Sequence, residues 1–590
     1  MKFSCLADYF QNLEKTASRI EITKTLASLL KEASSAEVDK ICYLSLGRLA
    51  PLYAGVEFNM ADKMMLKVLS RAFGVSQKET EKEFRKKGDL GQIAFDFANK
   101  ASNKSKNLEV TKVYERLLAI AQDSGEKSVE RKIAKMAELF LEVNPLSVKF
   151  LARIPVSKLR LGFSEATLMD ALSWMLTQDK SKREEIEKAF NSRADIGQIA
   201  RAIKTKGITD LKNIKAQLGV PIMPGLTQRL ANAQEIIKKM GKVAVEGKYD
   251  GQRIQIHFSK TKKEEKEDIS LFETKPKYYF RTYTRSLENN THMFPDLAKV
   301  LEKEIKAKEV ILDGEAIGIN LKTGEFLPFQ ETMKRKRKHS IGETAKKIPL
   351  KFFCFDIMFI DGKSLMSEAF EKRRKILEKV LPRRNKKIVI SPQILTSSPK
   401  VLLDYHKKQI EKGLEGIVAK KWQAPYEPGK RGFTWVKLKQ ETQKKGAGLA
   451  DTLDLIVMGY FSGQGKRAGF GIGKFLVGVR QGENFLTVSK IGTGLSDDQW
   501  KEMKKRCDKA KVNKKPTQYK IGKTTEPDVW CSPQIVVEIQ ADNITRSSLY
   551  TSGLSLRFPR LVRFREDKTK ENSSSISELK SLFDLQANIS

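Results

Sequence analysis

VAVEGKYDGQRIQIHF, Val243 to Phe258, is the stretch from which the rest of the chain can be read. Val243 and Val245 alternate with small or acidic neighbours, and Ile254, Ile256 and Phe258 alternate with Arg253, Gln255 and His257. Two runs of period two are the pattern of β-strands, and Asp250-Gly251 between them is a strong turn signal, so the stretch reads as a β-hairpin. Lys248 then stands at a strand end beside a tight turn, with Glu246 two residues earlier on the same face, Asp250 in the turn and Arg253 just past it. That layout suits a nucleophilic lysine. An ordinary charged hairpin turn has the same short pattern, so these residues alone leave both readings open.

The 590 residues are too many for one core and point to about three to five domains. A hydrophobic content of 40% is that of a globular protein. No run of about 18 apolar residues occurs, and MKFSCLADYFQNLEK at the N-terminus interrupts its apolar residues with acids, so neither a membrane span nor a secretory signal is expected. A cytoplasmic place follows, nucleoid-associated in a prokaryote. Cys5, Cys42, Cys354, Cys507 and Cys531 lie far apart without a C-x-x-C pair, which argues against a disulfide framework and a zinc ribbon. The four histidines are equally scattered, so a histidine metal site is not expected. Lysine and arginine number 110 against 72 acids, a formal charge of +38. Such an excess suits a polyanion, whose condensed counterions are released when Lys and Arg neutralise its phosphates.

From Met1 to about Leu218, apolar residues recur at helical spacing, as in MMLKVLSRAF from Met64 and TLMDALSWML from Thr167. EKEFRKKGDLGQIA from Glu81 is echoed by EKAFNSRADIGQIA from Glu187, which predicts two similar helical hairpins facing each other in one all-α domain. Asp89 and Asp195 are candidate caps, and the first-turn amides beyond them are candidates for a DNA phosphate. After Leu218 come short strands with turns: YYFRTYTR, EVILDGEAIGI, FFCFDIMFIDG and EGIVAKK, expected in one mixed α/β domain. The basic run Lys334 to Lys338 reads as solvated surface or as a nucleic-acid backbone contact. KQETQKKGAG, Lys439 to Gly448, suits a hinge, and beyond it closely spaced short strands predict a small β-barrel such as an OB-fold. The glycine cluster from Gly463 to Gly473 lacks phosphate-loop spacing and reads as a loop between barrel strands. ENSSSISELKSLF reads as disordered, with one capped helix.

KYDGQR, TRSLENNT, LDGEA, FDIMFIDG, EGIVAKK, YEPGKRGFTWVKLK and RFPRLVRFREDK follow one another in this order. Together they resemble the motifs of the covalent nucleotidyltransferases. Over essentially the whole length, the chain is similar to ATP-dependent DNA ligases of the archaeal and eukaryotic replicative type. The resemblance implies an all-α DNA-binding domain over residues 1–218, an α+β nucleotidyltransferase (adenylation) domain over 219–445, an all-β OB-fold domain over 446–568 and a tail over 569–590. It implies that Lys248 receives AMP from ATP, that Glu246 accepts from the adenine amino group and that Phe355 stacks on the base. It places Arg253 and Arg285 near ribose and phosphates, and makes Glu315 and Glu415 ligands for Mg²⁺ or Mn²⁺. Arg431, Lys437 and Lys420 match triphosphate contacts, with Lys439 close by, and Arg565 and Lys568 match cations on the departing pyrophosphate. The implied substrate is nicked double-stranded DNA, sealed in replication, repair and recombination by a monomer. A sliding clamp is a candidate partner without its usual signature, since no paired-aromatic motif follows Ala94. RNA ligase and capping guanylyltransferase are the alternatives. Neither needs the large helical domain.

Overall fold

Helices fill the first two hundred residues because their apolar side chains fall on one stripe. Helix Asp62–Phe73 buries Met65, Leu66, Val68, Leu69 and Ala72 and stops at Gly74, whose φ of +65° admits a left-handed cap. Helix Glu165–Thr177 forms from the second quoted run. The computed structural model describes residues 1–101, 105–262, 278–336, 341–381, 387–439, 452–463, 465–522 and 524–587. The chain divides into two compact units, residues 1–440 and 441–590. The helical region and the mixed region after it lie in the first unit.

Both echoed hairpins form, Gln77–Lys87 with Leu90–Lys100 and Arg183–Ser192 with Ile196–Lys206. They do not face each other as expected: Leu90–Lys100 packs on helix Pro145–Arg153, and Ile196–Lys206 on Val38–Ser45. The matching glycines explain why the motif occurs twice. A Cβ on Gly91 would stand 2.6 Å from the Lys149 carbonyl, and one on Gly197 would stand 2.4 Å from the Tyr43 ring, so each glycine permits a close approach. Both expected caps form. Asp89 accepts from Gly91 N–H and binds Arg153 and Arg160; Asp195 accepts from Gln198 N–H and from the hydroxyls of Tyr43 and Tyr53. Each carboxylate thereby takes one first-turn amide of its own helix.

In the rest of the first unit the strands are β1 (Leu226–Arg229), β2 (Val243–Gly247), β3 (Gln252–Ser259), β4 (Tyr279–Thr284), β5 (Glu309–Gly318), β6 (Leu350–Ile360), β7 (Lys363–Ser364), β8 (Ile388–Ile390), β9 (Gln393–Thr396), β10 (Gly416–Lys421) and β11 (Arg431–Lys439). They form two sheets, one ordered β1-β11-β10-β2-β9 and the other β4-β3-β5-β6-β7, with β8 beside β6. The expected hairpin is thereby corrected. Strand β2 pairs with β10 and β9, and β3 with β4 and β5, so Lys248 to Gly251 is a link that carries the chain from one sheet to the other. All five residues of β2 are buried. Tyr426 and Trp435, from the β10–β11 side, pack with Ile311, Met358 and Phe359 of the other sheet, with Phe355 against them.

The basic run is divided. Arg335 turns inward, 3% exposed, to Asp296 and to the carbonyls of Met293, Ala345 and Ile348, whereas Lys334 and Lys336 are exposed. Arg337 and Lys338 lie outside the described residues, as does the expected hinge beyond Lys439.

In the second unit, strands Leu453–Phe461, Lys474–Gln481 and Asn484–Ile491 run as an antiparallel meander. Leu453–Phe461 also pairs with Val529–Cys531 and Val536–Gln540, and the latter with Arg560–Phe564. This strand-rich unit also holds helix Asp497–Lys509, opened by a capping box of Ser496 and Gln499, which buries Trp500, Met503 and Cys507. The stretch from 569, expected to be a disordered tail with one capped helix, forms that helix, which packs into the unit. Helix Ile576–Ala587 is capped by Ser575 with Glu578, and Leu579 is fully buried in the core of this unit.

Candidate active site

The two sheets meet along a cleft of about 860 Å³, and every expected site residue from Glu246 to Lys439 lines it. Lys248 sits where the chain crosses. Its N–H donates to the Gly416 carbonyl at 2.8 Å, and its carbonyl accepts from Glu415 N–H at 3.1 Å, so the lysine backbone is tied to the start of β10. Its ammonium forms an ion pair with Glu415, which Lys439 also reaches at 3.1 Å. Burial works against the Glu415 charge, but Lys248 and Lys439 outweigh it and hold the carboxyl below its ordinary value.

One end of the cleft joins a buried carboxylate to aromatic rings. Glu246, 2% exposed, accepts from Lys420 Nζ at 3.0 and 3.1 Å, and Lys420 also donates to the Phe355 carbonyl at 2.9 Å. Burial raises Glu246 and lowers Lys420, each opposed by the other's charge. Phe355 and Trp435 meet edge to face at 5.8 Å, with Lys420 4.5 Å from the Phe355 ring centre. Lys420 was expected among the triphosphate contacts. It stands at this aromatic end, its ammonium held by Glu246 and the Phe355 carbonyl.

Positive charge gathers elsewhere in the cleft. Lys437 is lowered by burial and then by Lys439, Lys248, Arg431 and Arg285, so five cations share one neighbourhood. Glu415 offsets Lys248 and Lys439, and a polyphosphate would answer the charge that remains on Arg285, Arg431 and Lys437. Arg253 and Glu315 stand opposite one another on β3 and β5, and burial pushes the Glu315 carboxyl up to about 8, against the pull of Arg253 and Lys248. Among the described residues, no three acidic, histidine or cysteine side chains gather as a metal site. Glu315 and Glu415 are two hard oxygen donors on one cleft, a set that fits Mg²⁺, which binds one or two carboxylates together with phosphate and water.

Comparison with known proteins bears on the whole chain. The ATP dependent DNA ligase domain matches residues 224–439, the DNA ligase N terminus residues 2–173 and the ATP dependent DNA ligase C terminal region residues 468–568. A probable DNA ligase of Dictyoglomus thermophilum is 42% identical over 99% of this chain and 97% of its own length. The DNA ligase of Sulfolobus acidocaldarius is 36% identical over 99% and 98%. The chain belongs to the ATP-dependent DNA ligases. A solved structure described as Pmar-Lig_PreS3 shares the fold, with a TM-score of 0.55 at 18% identity over 95% of this chain and 99% of that one.

The ligase uses ATP to seal nicks in DNA, and its matched N-terminal region is one that the capping and RNA-ligase readings did not need. No described helix is long and apolar enough to cross a membrane. Sequence reading missed several residues on which the ligase cleft depends. Asp313, fully buried, holds the Arg253 guanidinium at 2.7 and 3.1 Å and accepts from the Tyr426 hydroxyl at 2.9 Å. Arg253 is thereby fixed beside Phe355 and Trp435, its Nη1 on the Gly225 carbonyl at 2.7 Å. An acid at the centre of the run EVILDGEAIGI, two residues before Glu315, was the signal for Asp313. Trp435 carried none, since its place opposite Phe355 depends on how the two sheets meet. In the second unit of the ligase, Arg565 and Lys568 both bind Asp454.

Proposed function

We propose that Lys248 is the residue of this ligase that carries AMP. The observation behind this reading is its place on the sheet-to-sheet link, within a cleft that has a base pocket and a crowd of cations. In the first step the Lys248 amine attacks the α-phosphorus of ATP. An N–P bond forms, the bond to the bridging oxygen breaks, pyrophosphate leaves and the amine proton passes to solvent. AMP then moves to the 5′-phosphate of the nick, freeing Lys248, and the 3′-hydroxyl displaces AMP as the phosphodiester forms. Glu246, Phe355 and Trp435 hold the base, while Arg285, Arg431, Lys437 and Lys439 draw charge from the phosphates, with Arg253 ordered by Asp313 beside them. Glu315 and Glu415 would hold Mg²⁺ or Mn²⁺, which when bound offsets phosphate charge. Arg565 and Lys568 act on the departing pyrophosphate.

Residues 1–218 serve to bind DNA around the nick, 219–445 to adenylate, and the strand-rich region from 446 to assist both. The ligase works as a monomer in the cytoplasm, where its DNA lies, and a sliding clamp stays a candidate partner. The test is incubation with α-labelled ATP followed by denaturing electrophoresis and peptide mapping. Label on the peptide that holds Lys248 is expected, and label elsewhere would reject the assignment.

A further inference from the structure

Asp454 lies on strand Leu453–Phe461 and is 9% exposed. Arg565 Nη1 donates to its two oxygens at 3.1 and 3.3 Å, and Lys568 Nζ donates to Oδ2 at 2.5 Å. Asp454 is itself fixed by Ser574, whose Oγ accepts the Asp454 N–H at 3.0 Å and whose N–H donates to the Asp454 carbonyl at 2.7 Å. Asp567 takes the other edge of the guanidinium, at 2.9 and 2.7 Å, but its side chain is 62% exposed and rides on the same turn as the arginine. Glu538, opposite Asp454 on the paired strand, binds Arg563 at 2.7 Å and lies 3.5 Å from Arg565. Arg563, Arg565 and Lys568 thus face Asp454, Glu538 and Asp567, and the formal charges cancel. Donors are left over: an ammonium has three N–H groups, and Lys568 gives one to Asp454.

We propose that Asp454 is a positioning residue that holds Arg565 and Lys568 as a two-pronged clamp for the pyrophosphate end of ATP. This rests on the reading that these two cations act in the adenylation step. A clamp ordered before charge develops lowers the barrier without reorganising during the reaction, and Asp454 is its one buried anchor common to both prongs. Without it, Arg565 keeps the exposed Asp567 and the more distant Glu538 at 3.5 Å, and Lys568 loses its ion pair. The role is confined to the step in which pyrophosphate leaves, because the later steps release none.

The test compares Asp454→Asn with Arg565→Ala and Lys568→Ala in three single-turnover assays: self-adenylation, its reversal by added pyrophosphate, and sealing of a nick that already carries 5′-AMP. For Asp454→Asn we expect kcat/KM for self-adenylation and for reversal to fall together by about 10- to 100-fold, with KM for pyrophosphate raised. Sealing of the adenylated nick should stay within about threefold. If the two cation variants adenylate normally, the underlying reading fails. If they lose adenylation and Asp454→Asn does not, or adenylates faster, the positioning role alone is overturned, and equal loss in all three assays overturns it too. Should Asp454→Asn melt early, Asp454→Glu keeps the charge on a longer arm, and the same split between steps is required of it.

Discussion

At the scale of single residues, Lys248 carries the sharpest expectation. Lys248→Ala and Lys248→Arg should both abolish covalent AMP, because a guanidinium stays protonated and has no free pair to offer. Gel autoradiography after α-labelled ATP measures this, and full labelling of either variant would exclude Lys248. His257 gives a pH dependence. It is fully buried, its Nδ1 accepts from Gly219 N–H at 3.1 Å, and burial lowers it to about 3. The unfolded chain, with a histidine near 6.5, then binds the extra proton first as pH falls. Its contribution to stability is whole above about 6.5 and declines towards pH 3 by roughly 1.4 kcal/mol per pH unit. His257→Asn keeps an acceptor and cannot titrate, so the drop in urea midpoint between pH 7 and pH 5 should shrink in that variant; an undiminished drop would assign the effect to other groups. Glu246, Glu315 and Lys437 were singled out by the family resemblance of their motifs, and the structure brings all three to one cleft. Asp313 and the true partner of Lys420 were not singled out, because their contacts depend on strands 60 and 174 residues apart.

At the scale of elements, the link between the sheets shows what periodicity hides. Two alternating runs flanking Asp-Gly look alike whether the strands pair with one another or with distant strands, and here each prefers partners made much later. The glycine remained the right signal for another reason. A Cβ on Gly251 would stand 2.6 Å from the Ala316 carbonyl and 2.5 Å from the Ile317 side chain, so the link passes tightly over β5. Gly251→Ala must push the link outward and carry Lys248 with it. We expect self-adenylation to fall by about 10²-fold, as for a misplaced reacting group, with nicked-DNA affinity within about twofold of wild type. A variant that adenylates normally would show that the link has slack. Gly91→Ala tests the helical echo in the same way. Its Cβ would meet Arg153 and the Lys149 carbonyl, and a loss of about 1–3 kcal/mol in stability is expected from a chemical melt.

For the whole molecule, the surplus of 38 positive charges and the long helical region bear on DNA more than on ATP. The lining of the cleft begins at Leu226, so a chain starting at Gly219 keeps every residue that lines it. Such a chain should self-adenylate but join nicks poorly, and its remaining DNA affinity should fall steeply with salt. Normal joining at physiological salt would assign residues 1–218 another task. The last helix has a consequence for the order in which the protein is made. Ser574 closes on Asp454 across 120 residues, and Leu579 enters a core begun by Leu453. A ribosome emitting this chain can release the first unit to fold while more than a hundred residues are still unmade. The second unit has no such head start. Its opening strand emerges early and waits, one backbone edge open until Val529 to Gln540 is made and its apolar side chains until Leu579 arrives.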